Sequence, residues 1–365
     1  MNGVDVETLR AWLEEGSLVT VLDIRAEEDR QQWSIPGSLH INAYDDLKAG
    51  RAGELELAEF PDDRRVVTVC NLGRMAAVAA ERLQCRGIRA TPLRGGMKAW
   101  SLAWNTAEIS VTNDTVVLQV RRTGKGCLSY FISSGGEAVV VDASLPPEVY
   151  LGLATGRGTT IRHVIDTHVH ADHLSRSRLL AQTAGATLLL PAQDRVGFPF
   201  TAMSDGQELT FGSARLTAMR TPGHTMESTC YLLNGDALLT GDTLFLGSVG
   251  RPDLHATSEE TRERAALLYR SLRRIFMLRP ELLVLPGHVS APIAFDGNPL
   301  AATLQEVESR VGPWLSSESD FVDKVLSRIP PTPPNYTEIV RLNEAGILPE
   351  QDPTDLEAGA NRCAV

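Results

Sequence analysis

The chain has 365 residues, of which 43% are hydrophobic and 5% aromatic, and 46 acidic against 35 basic residues give a formal net charge of −11. This length and composition exclude a disordered, collagen-like or small disulfide-stapled protein and predict two or three folded domains. Because binding to nucleic acid or to an anionic membrane surface needs a basic face, the negative charge argues against both and favours a small-molecule site.

The N-terminal residues are acidic and lack the apolar stretch of a secretory signal, and no run of 18 apolar residues is present. The sequence therefore predicts a cytoplasmic protein with no membrane span. Its five cysteines are odd in number, scattered and without a CxxC pair, which predicts free thiols. Nothing in the sequence decides whether the chain forms a homo-oligomer.

Residues 1–105 alternate between strand and helix signals. Asp5 is a helix cap ahead of an apolar face, and Gly16 ends that helix. The further predicted elements are strands at 18–24 and 66–69, a helix at 76–84, a short strand at 88–91 and a helix from Gly95. Strands that alternate with helices predict an α/β domain with a parallel sheet.

A second domain is predicted after a polar linker at 106–114. Its first segments, 116–120, 128–132 and 138–142, have the pattern of strands joined by tight turns. The pattern then mixes strands and helices as far as about residue 310. Residues 311–365 are predicted to be a helical and proline-rich extension that ends in a solvated tail.

The strongest functional signal is Thr167-His-Val-His-Ala-Asp-His173, which follows an apolar segment. At an extended strand end, His168 and His170 project to the same side about 7 Å apart. His224, Asp242 and His288 each stand where an apolar strand passes into a glycine-containing loop, a common position for metal ligands. The predicted metal-binding set is His168, His170, Asp172, His173, His224, Asp242 and His288.

This set resembles the metallo-β-lactamase fold superfamily over roughly residues 112–310, which implies a four-layer αββα sandwich. Within that superfamily it is similar to persulfide dioxygenases and to glyoxalase II. The segment from Gly241 to Leu254, GDTLFLGSVGRPDL, looks like the dioxygenase pattern GDxLFxxxxGRxDL.

The dioxygenase resemblance implies that His168, His224 and Asp242 hold one Fe(II) per chain, a two-histidine, one-carboxylate face that suits ferrous iron. The other four predicted ligands, His170, Asp172, His173 and His288, would surround that ion or form a second metal site. Because all seven ligands of a binuclear centre are present, two zinc ions remain the alternative.

Arg251, Asp253 and Cys127 are weaker candidates. Arg251 and Asp253 form either a structural ion pair or, through the arginine, a grip on a substrate carboxylate. Cys127 opens an early strand of the second domain and is either a pocket thiol or a packing residue. Arg176 stands where the family commonly has glycine, so the turn before it is expected to differ.

Cys70 begins the loop Cys-Asn-Leu-Gly-Arg-Met between a strand and a helix. Backbone N–H groups of such a loop, with the following helix N-terminus, favour a thiolate and bind an anion. Together with Leu93-Arg-Gly-Gly-Met-Lys-Ala-Trp100, the loop makes residues 5–104 resemble a rhodanese domain. The resemblance implies that Cys70 carries sulfane sulfur and that Gly73 and Arg74 bind the anion, although rhodaneses often have Arg, Thr or Ser where Met75 stands.

The sequence as a whole is thus interpreted as a rhodanese fused to a persulfide dioxygenase. The implied substrates are a low-molecular-weight thiol persulfide such as glutathione persulfide, dioxygen, and thiosulfate or sulfite. The alternative is a di-zinc, glyoxalase II-like thioester hydrolase that carries a rhodanese sulfur-carrier module.

Overall fold

A computed structural model describes residues 3–112, 114–350, 352–359 and 361–365. The N-terminal domain is built around a parallel sheet, with β2–β1–β3–β4 as the strand order among the described residues. Its elements in chain order are α1 (Val6–Glu14), β1 (Val19–Asp23), α2 (Glu27–Gln32), β2 (Leu39–His40), α3 (Tyr44–Ala49), β3 (Arg65–Val69), α4 (Arg74–Cys85), β4 (Ala90–Pro92) and α5 (Gly96–Trp100).

Local sequence signals account for most of this domain. The Asp5 carboxylate accepts the Thr8 N–H and caps α1, as its position predicts. Alternate residues of β1 enter different cores, since Leu22 packs towards α4 whereas Val21 packs towards α1 and α5. Helices therefore cover both faces of the sheet, which confirms the predicted α/β architecture.

The second domain contains two facing sheets with the strand orders β11–β10–β9–β8–β7–β6–β5 and β12–β13–β14–β15–β16–β17 within the described residues. The strands of the first sheet are β5 (Asn105–Thr112), β6 (Thr115–Arg122), β7 (Cys127–Ser134), β8 (Glu137–Val141), β9 (Thr160–Ile165), β10 (Thr187–Pro191) and β11 (Thr201–Met203). Those of the second are β12 (Glu208–Phe211), β13 (Ala214–Arg220), β14 (Thr229–Leu233), β15 (Ala237–Gly241), β16 (Leu283–Pro286) and β17 (Ala302–Thr303).

Helices lie on the outer face of each sheet. They are α6 (Pro147–Gly156) and α7 (Ser177–Ala184) on the first sheet, then α8 (Ser258–Ile275), α9 (Leu304–Val311) and α10 (Glu318–Leu326) on the second, followed by α11 (Tyr336–Ala345) and α12 (Thr354–Glu357). Ile132 and Val141 of the first sheet meet Leu216 and Leu239 of the second in the central core. The αββα sandwich is therefore confirmed.

The predicted linker at 106–114 is wrong for its described part. Asn105–Thr112 forms β5, an edge strand of the second domain that pairs antiparallel with β6 from Asn105↔Arg121 to Thr112↔Thr115. Polar side chains suggested a linker, but alternate residues such as Ala107 and Ile109 are buried against the sheet. A strand with one face exposed to solvent has this alternating composition. Residue 113 lies outside the described residues.

The expectation of a solvated C-terminal tail is also wrong. Glu357, Asn361 and Cys363 are buried. The Glu357 carboxylate bonds the guanidinium groups of Arg122 and Arg176 and accepts the Leu174 N–H. Polar composition suggested solvation, but these partners lie about 180 or more positions away and neutralise the buried charge. Arg176, which stands where the family commonly has glycine, therefore binds the C-terminal tail.

The same tail reaches the N-terminal domain. The ammonium of Lys98, in α5, forms ion pairs with Asp352 and Asp355. The backbone N–H groups of Met97 and Lys98 donate to the carbonyls of Cys70 and Asn71. One C-terminal segment therefore contacts both domains.

Replacing Glu357 by glutamine is expected to lower the free energy of unfolding by about 3–5 kcal/mol, because two buried guanidinium groups lose their shared counter-charge. Chemical unfolding followed by fluorescence measures this change. Glu338→Gln is the matched control, since Glu338 pairs with Arg341 at the exposed surface and its loss should leave the midpoint unchanged. Equal midpoints for Glu357→Gln and the native chain would contradict the assigned role.

The same carboxylate gives stability a pH dependence. Burial raises the pKa of Glu357, but Arg122 and Arg176 outweigh burial and bring it from an ordinary 4.5 to about 2. Its contribution is therefore present above about pH 4.5 and is lost as the pH falls towards 2.

Within the described ranges, none of the helices combines the length and the apolar character needed to cross a bilayer.

Candidate functional site

Three ligand atoms converge at one end of the sandwich, on loops that follow β9, β13 and β15. Asp242 Oδ2 lies 3.8 Å from His168 Nε2 and 3.6 Å from His224 Nε2. His168 Nε2 and Asp242 Oδ2 are buried and have no hydrogen-bond partner among the described residues. Bonds of about 2.0–2.2 Å to a metal place neighbouring donors about 3–3.5 Å apart. The three atoms lie within 4.8 Å of one another, so a contraction of a few tenths of an ångström between Asp242 and each histidine would bring them to that spacing.

The backbone places Asp242 beside Thr167 through a glycine. Gly241, the last residue of β15, has φ +48°, and a Cβ there would lie 2.5 Å from Thr167 Oγ1. Any larger residue would push apart the two loops that carry Asp242 and His168.

Hydrogen bonds to the far ring nitrogens set the histidine tautomers. Thr167 Oγ1 donates to Asp142 and so accepts from His168 Nδ1 at 2.9 Å. His224 Nδ1 donates to the Arg251 carbonyl at 2.8 Å. Each ring therefore turns an Nε2 lone pair towards Asp242, the arrangement that a metal ligand needs.

The charges of this set also suit a cation. Burial holds the pKa of His168 well below its usual range, helped by His170, and burial lowers the pKa of His224. Burial raises the pKa of Asp242, but His288, His168 and His224 outweigh it and hold the value well below its usual range. Two neutral imidazoles and one carboxylate thus face the same point.

His170 does not join this set. Its ring centroid is 4.3 Å from that of His168, but its Nε2 lies 3.3 Å from Asp142 Oδ1 and 4.0 Å from Asp166 Oδ1. The residues past Ile165 form a loop and not the extended strand end from which a common direction was predicted. Asp142 and Asp166 were missed, although each is an acidic residue directly after an apolar strand.

The remaining predicted ligands form a second cluster with a thiol. Ligand atoms of Cys127, Asp172, His173 and His288 lie within 4.8 Å of one another. Cys127 Sγ is 3.4 Å from Asp172 Oδ2, and a bridge between Cys127 and His288 joins the two sheets here. Burial and Asp172 raise the pKa of Cys127, but His173 and His288 outweigh them and bring it to about 6. Cys127 therefore faces the site.

His288 connects the two clusters. Its Nδ1 lies 2.5 Å from Asp242 Oδ1 and its Nε2 lies 2.9 Å from Asp172 Oδ2. Burial lowers the pKa of His288, but these two carboxylates outweigh burial and raise it well above the usual range. The ring thereby orients one carboxylate of each cluster.

The C-terminal tail supplies two site residues that the sequence did not reveal. Asn361 Nδ2 donates to Asp172 Oδ2 at 3.0 Å, and Cys363 Sγ lies within 4.8 Å of ligand atoms of Asp242 and His288. Burial and the nearby carboxylates Asp172 and Asp242 hold the pKa of Cys363 well above its usual range. No local motif marks either residue, since both reach the site through the long-range anchoring of Glu357.

Arg251 is buried and makes five hydrogen bonds. Two go to the Asp253 carboxylate, and the others go to the carbonyls of Pro330, Pro331 and Arg362. These five bonds match the five N–H groups of a guanidinium, so none is left for a substrate. The geometry therefore favours a structural ion pair between Arg251 and Asp253 over the binding of a substrate carboxylate by Arg251.

Cys70 lies in a cradle of backbone N–H groups in the other domain. Its Sγ accepts the N–H of Gly73 at 3.1 Å and that of Ala76 at 3.4 Å, at the start of α4. Gly96 closes the other side, where a Cβ would lie 2.1 Å from the Cys70 carbonyl oxygen. Arg74 is exposed at the rim, whereas Met75 packs against the core. The loop therefore has the N–H donors and the positive helix end that stabilise a negative sulfur.

Comparison with known proteins matches each centre to a family. Residues 122–288 match the model of the metallo-beta-lactamase superfamily, and residues 5–103 match that of the rhodanese-like domain. A hydroxyacylglutathione hydrolase of Anaeromyxobacter dehalogenans is 33% identical over 203 residues, which cover 53% of this chain and 76% of that protein. The chain belongs to the metallo-beta-lactamase superfamily. Its N-terminal domain is rhodanese-like.

Two solved structures resemble this metallo-beta-lactamase superfamily member. A metallo-beta-lactamase from Staphylococcus aureus subsp. aureus COL has a TM-score of 0.59 at 26% identity and covers 66% of this chain and 75% of its own. ETHE1 from Myxococcus xanthus has a TM-score of 0.55 at 30% identity and covers 63% of this chain and 98% of its own. The superfamily fold binds metal ions, and its ligand clusters are present here.

Proposed function

We propose that the second domain oxidises a low-molecular-weight thiol persulfide with dioxygen, and that the rhodanese-like domain transfers sulfur through Cys70. The observation that carries the proposal is the separation of His170 from His168, His224 and Asp242. Two histidines and one carboxylate form the face typical of ferrous oxygenases.

Three further observations support this proposal. The chain covers 98% of ETHE1 from Myxococcus xanthus at 30% identity, and the dioxygenase-like segment GDTLFLGSVGRPDL follows β15. A rhodanese-like domain in the same chain also supports a sulfur-containing substrate for the metal domain.

The proposed overall reaction is R–S–S⁻ + O2 + H2O → R–SH + SO3²⁻ + H⁺. The terminal sulfur loses four electrons, dioxygen gains them, and the S–S bond breaks. A ferrous ion, when bound, would supply open positions for the sulfur and for dioxygen and would relay electrons between them.

The chain's own residues provide the geometry for this reaction. His168, His224 and Asp242 would hold the ion, while Thr167 and the Arg251 carbonyl orient the two rings. His288 holds the second oxygen of Asp242. Burial of these groups excludes bulk water, which strengthens their electrostatic interactions and protects a reactive sulfur species.

In the other domain, the Cys70 thiolate would attack the sulfane sulfur of thiosulfate and release sulfite, leaving a cysteine persulfide. A thiolate R–S⁻ would then take that sulfur as R–S–S⁻ and regenerate Cys70. The N–H groups of Gly73 and Ala76 would stabilise the negative charge in both states.

The second candidate is a di-zinc thioester hydrolase. It is favoured by the curated hydroxyacylglutathione hydrolase of Anaeromyxobacter dehalogenans, of which the chain covers 76%. In that case the cluster of Cys127, Asp172, His173 and His288 would hold the second ion.

Metal analysis combined with two assays separates the candidates. The full-length protein, purified without added metal, should contain close to one iron per chain and should consume oxygen with glutathione persulfide. It should hydrolyse S-lactoylglutathione only at background rate. Two bound zinc ions, with thioester hydrolysis and no oxygen uptake, would overturn the proposal in favour of the hydrolase.

A further inference from the structure

A cleft of about 240 Å³ opens beside His224. Its walls come from the loop after β9, from the segment before α8, and from α11. We call it the His224 cleft. Among the residues that line it are Val169, His224, Leu254, Arg264, Val340 and Glu344. His224 belongs, with His168 and Asp242, to the first ligand set. The cleft therefore connects solvent with a member of that set.

The floor of the His224 cleft is apolar. Val169, Leu254 and Val340 pack together there and are buried. Its volume lies below the range of about 300–1,000 Å³ typical of sites for drug-sized ligands. It therefore suits a small molecule, or one end of a larger one, and an aliphatic portion of that molecule would rest on this floor.

Two arginines line the cleft, and their surroundings differ. Arg195 bonds the carboxylates of Glu227 and Glu344, so its charge is compensated. Arg264, in α8, donates only to the carbonyls of Leu254 at 2.9 Å and His255 at 3.3 Å. No carboxylate of a described residue lies within ion-pair distance of it.

Arg264 is also held in position before any ligand arrives. The two carbonyls that fix its guanidinium belong to consecutive residues, and His255 has a left-handed backbone with φ +54°. A non-glycine residue in that region carries a conformational cost, which is a common feature of binding sites. Two of five N–H groups are in use, so three remain for a ligand.

A second cleft, of about 180 Å³, lies beside His168 and His170, but it suits a charged ligand less well. Leucine, isoleucine, valine and phenylalanine side chains make up nine of its 18 lining residues. Its arginine, Arg178, lies over the Phe198 ring, 4.9 Å from the centroid, and donates to the Gly346 carbonyl.

We propose that the His224 cleft binds the thiol carrier of the substrate by a carboxylate, and that Arg264 is the residue that recognises this carboxylate. The ligand class is a small, peptide-like thiol, whose sulfur would reach the first ligand set while its carboxylate pairs with the guanidinium. Arg251 is not free for this role, because its five N–H groups are all engaged. The oxidation of the bound sulfur rests on the proposed function, but the binding of the thiol in the cleft does not.

The test compares Arg264→Gln with Arg264→Lys in the full-length protein. Charge-assisted bonds of this kind are worth about 10- to 100-fold in affinity. The glutamine variant should raise the KM for glutathione persulfide by that factor with little change in kcat, and lysine should restore part of the loss. The persulfide of cysteamine, which has no carboxylate, should be oxidised equally well by all forms.

Anaerobic calorimetry with glutathione itself gives a readout that needs no turnover. Its Kd should rise in Arg264→Gln by the same factor as the KM. An Arg264-dependent Kd without oxygen uptake would leave the cleft assignment standing while the dioxygenase proposal fails.

Two control variants sharpen the result. Arg262→Gln removes an exposed arginine of the same helix, which pairs with Asp323, and should leave the Kd of glutathione unchanged. Arg178→Gln removes the arginine of the competing cleft and should do the same. The proposal is wrong if Arg264→Gln changes the Kd and KM by less than twofold, or if Arg178→Gln carries the loss instead. Coenzyme A binding that depends on Arg264, without glutathione binding, would replace the carboxylate by a phosphate and also overturn it.

Discussion

Asp242→Asn is expected to reduce bound iron from close to one per chain to near zero after gel filtration. The substitution keeps the shape of the side chain but removes the only carboxylate of the first ligand set, so two neutral imidazoles would face the ion without a counter-charge. Oxygen uptake with glutathione persulfide should fall to background. Metal analysis and an oxygen electrode on the same preparation measure both effects.

His170→Gln and His288→Ala are the matched comparisons. His170 Nε2 faces Asp142, so its removal should leave the iron content unchanged. His288 orients Asp242 but lies outside the first ligand set, so its loss should weaken iron binding by about 10- to 100-fold, as for other outer partners of metal ligands, without abolishing it. Equal metal loss in all three variants would contradict the mononuclear site and favour two ions.

Cys70→Ser is expected to abolish sulfur transfer from thiosulfate to a thiol, down to the uncatalysed rate. The N–H groups of Gly73 and Ala76 stabilise a negative sulfur, and a serine hydroxyl has a far higher pKa and forms no persulfide. Oxygen uptake with supplied glutathione persulfide should remain within twofold of the native rate, because the metal ligands belong to the other domain. Both assays are run on one preparation of full-length protein.

Cys85→Ser serves as the control, since Cys85 is exposed at the end of α4, outside the cradle. It should retain both activities. Normal sulfur transfer in Cys70→Ser would remove Cys70 from the reaction. Loss of persulfide oxidation in that variant, with iron still bound, would show that the two centres are not independent.

The C-terminal tail contacts both domains, so the independence of the two centres needs to be measured. Asp352 and Asp355 pair with Lys98 beside the Cys70 loop, Glu357 anchors the middle of the tail, and Asn361 reaches Asp172. The described residues of the tail therefore contact elements next to both centres.

Many features of this protein follow from local sequence. The helix capped by Asp5, the strands at 19–23 and 65–69 and the glycine-rich turn before α5 depend on neighbouring residues. The residues of the first ligand set could be predicted because each follows an apolar strand, and strand ends deliver their loops to one edge of a sheet. The Cys70 cradle is likewise local, since its N–H donors lie within six positions of the sulfur.

Other features depend on packing between distant parts of the chain. Polar composition predicted a linker at 106–114 and a solvated tail, but β5 pairs with β6, and Arg122 and Arg176 bury Glu357. Surrounding side chains decide which way His170 points and how closely Cys127 approaches His173. They also decide that Arg251 has no free N–H group, whereas Arg264 has three.

The physical reason is the range of the interactions. Capping, strand alternation and turn geometry involve atoms a few residues apart, so the order of residues along the chain determines them. The charge and hydrogen bonds that a buried group receives come from whatever the tertiary packing brings within about 4 Å. By itself the sequence therefore determined which residues could bind metal or sulfur, and only the tertiary structure decided which of them act together.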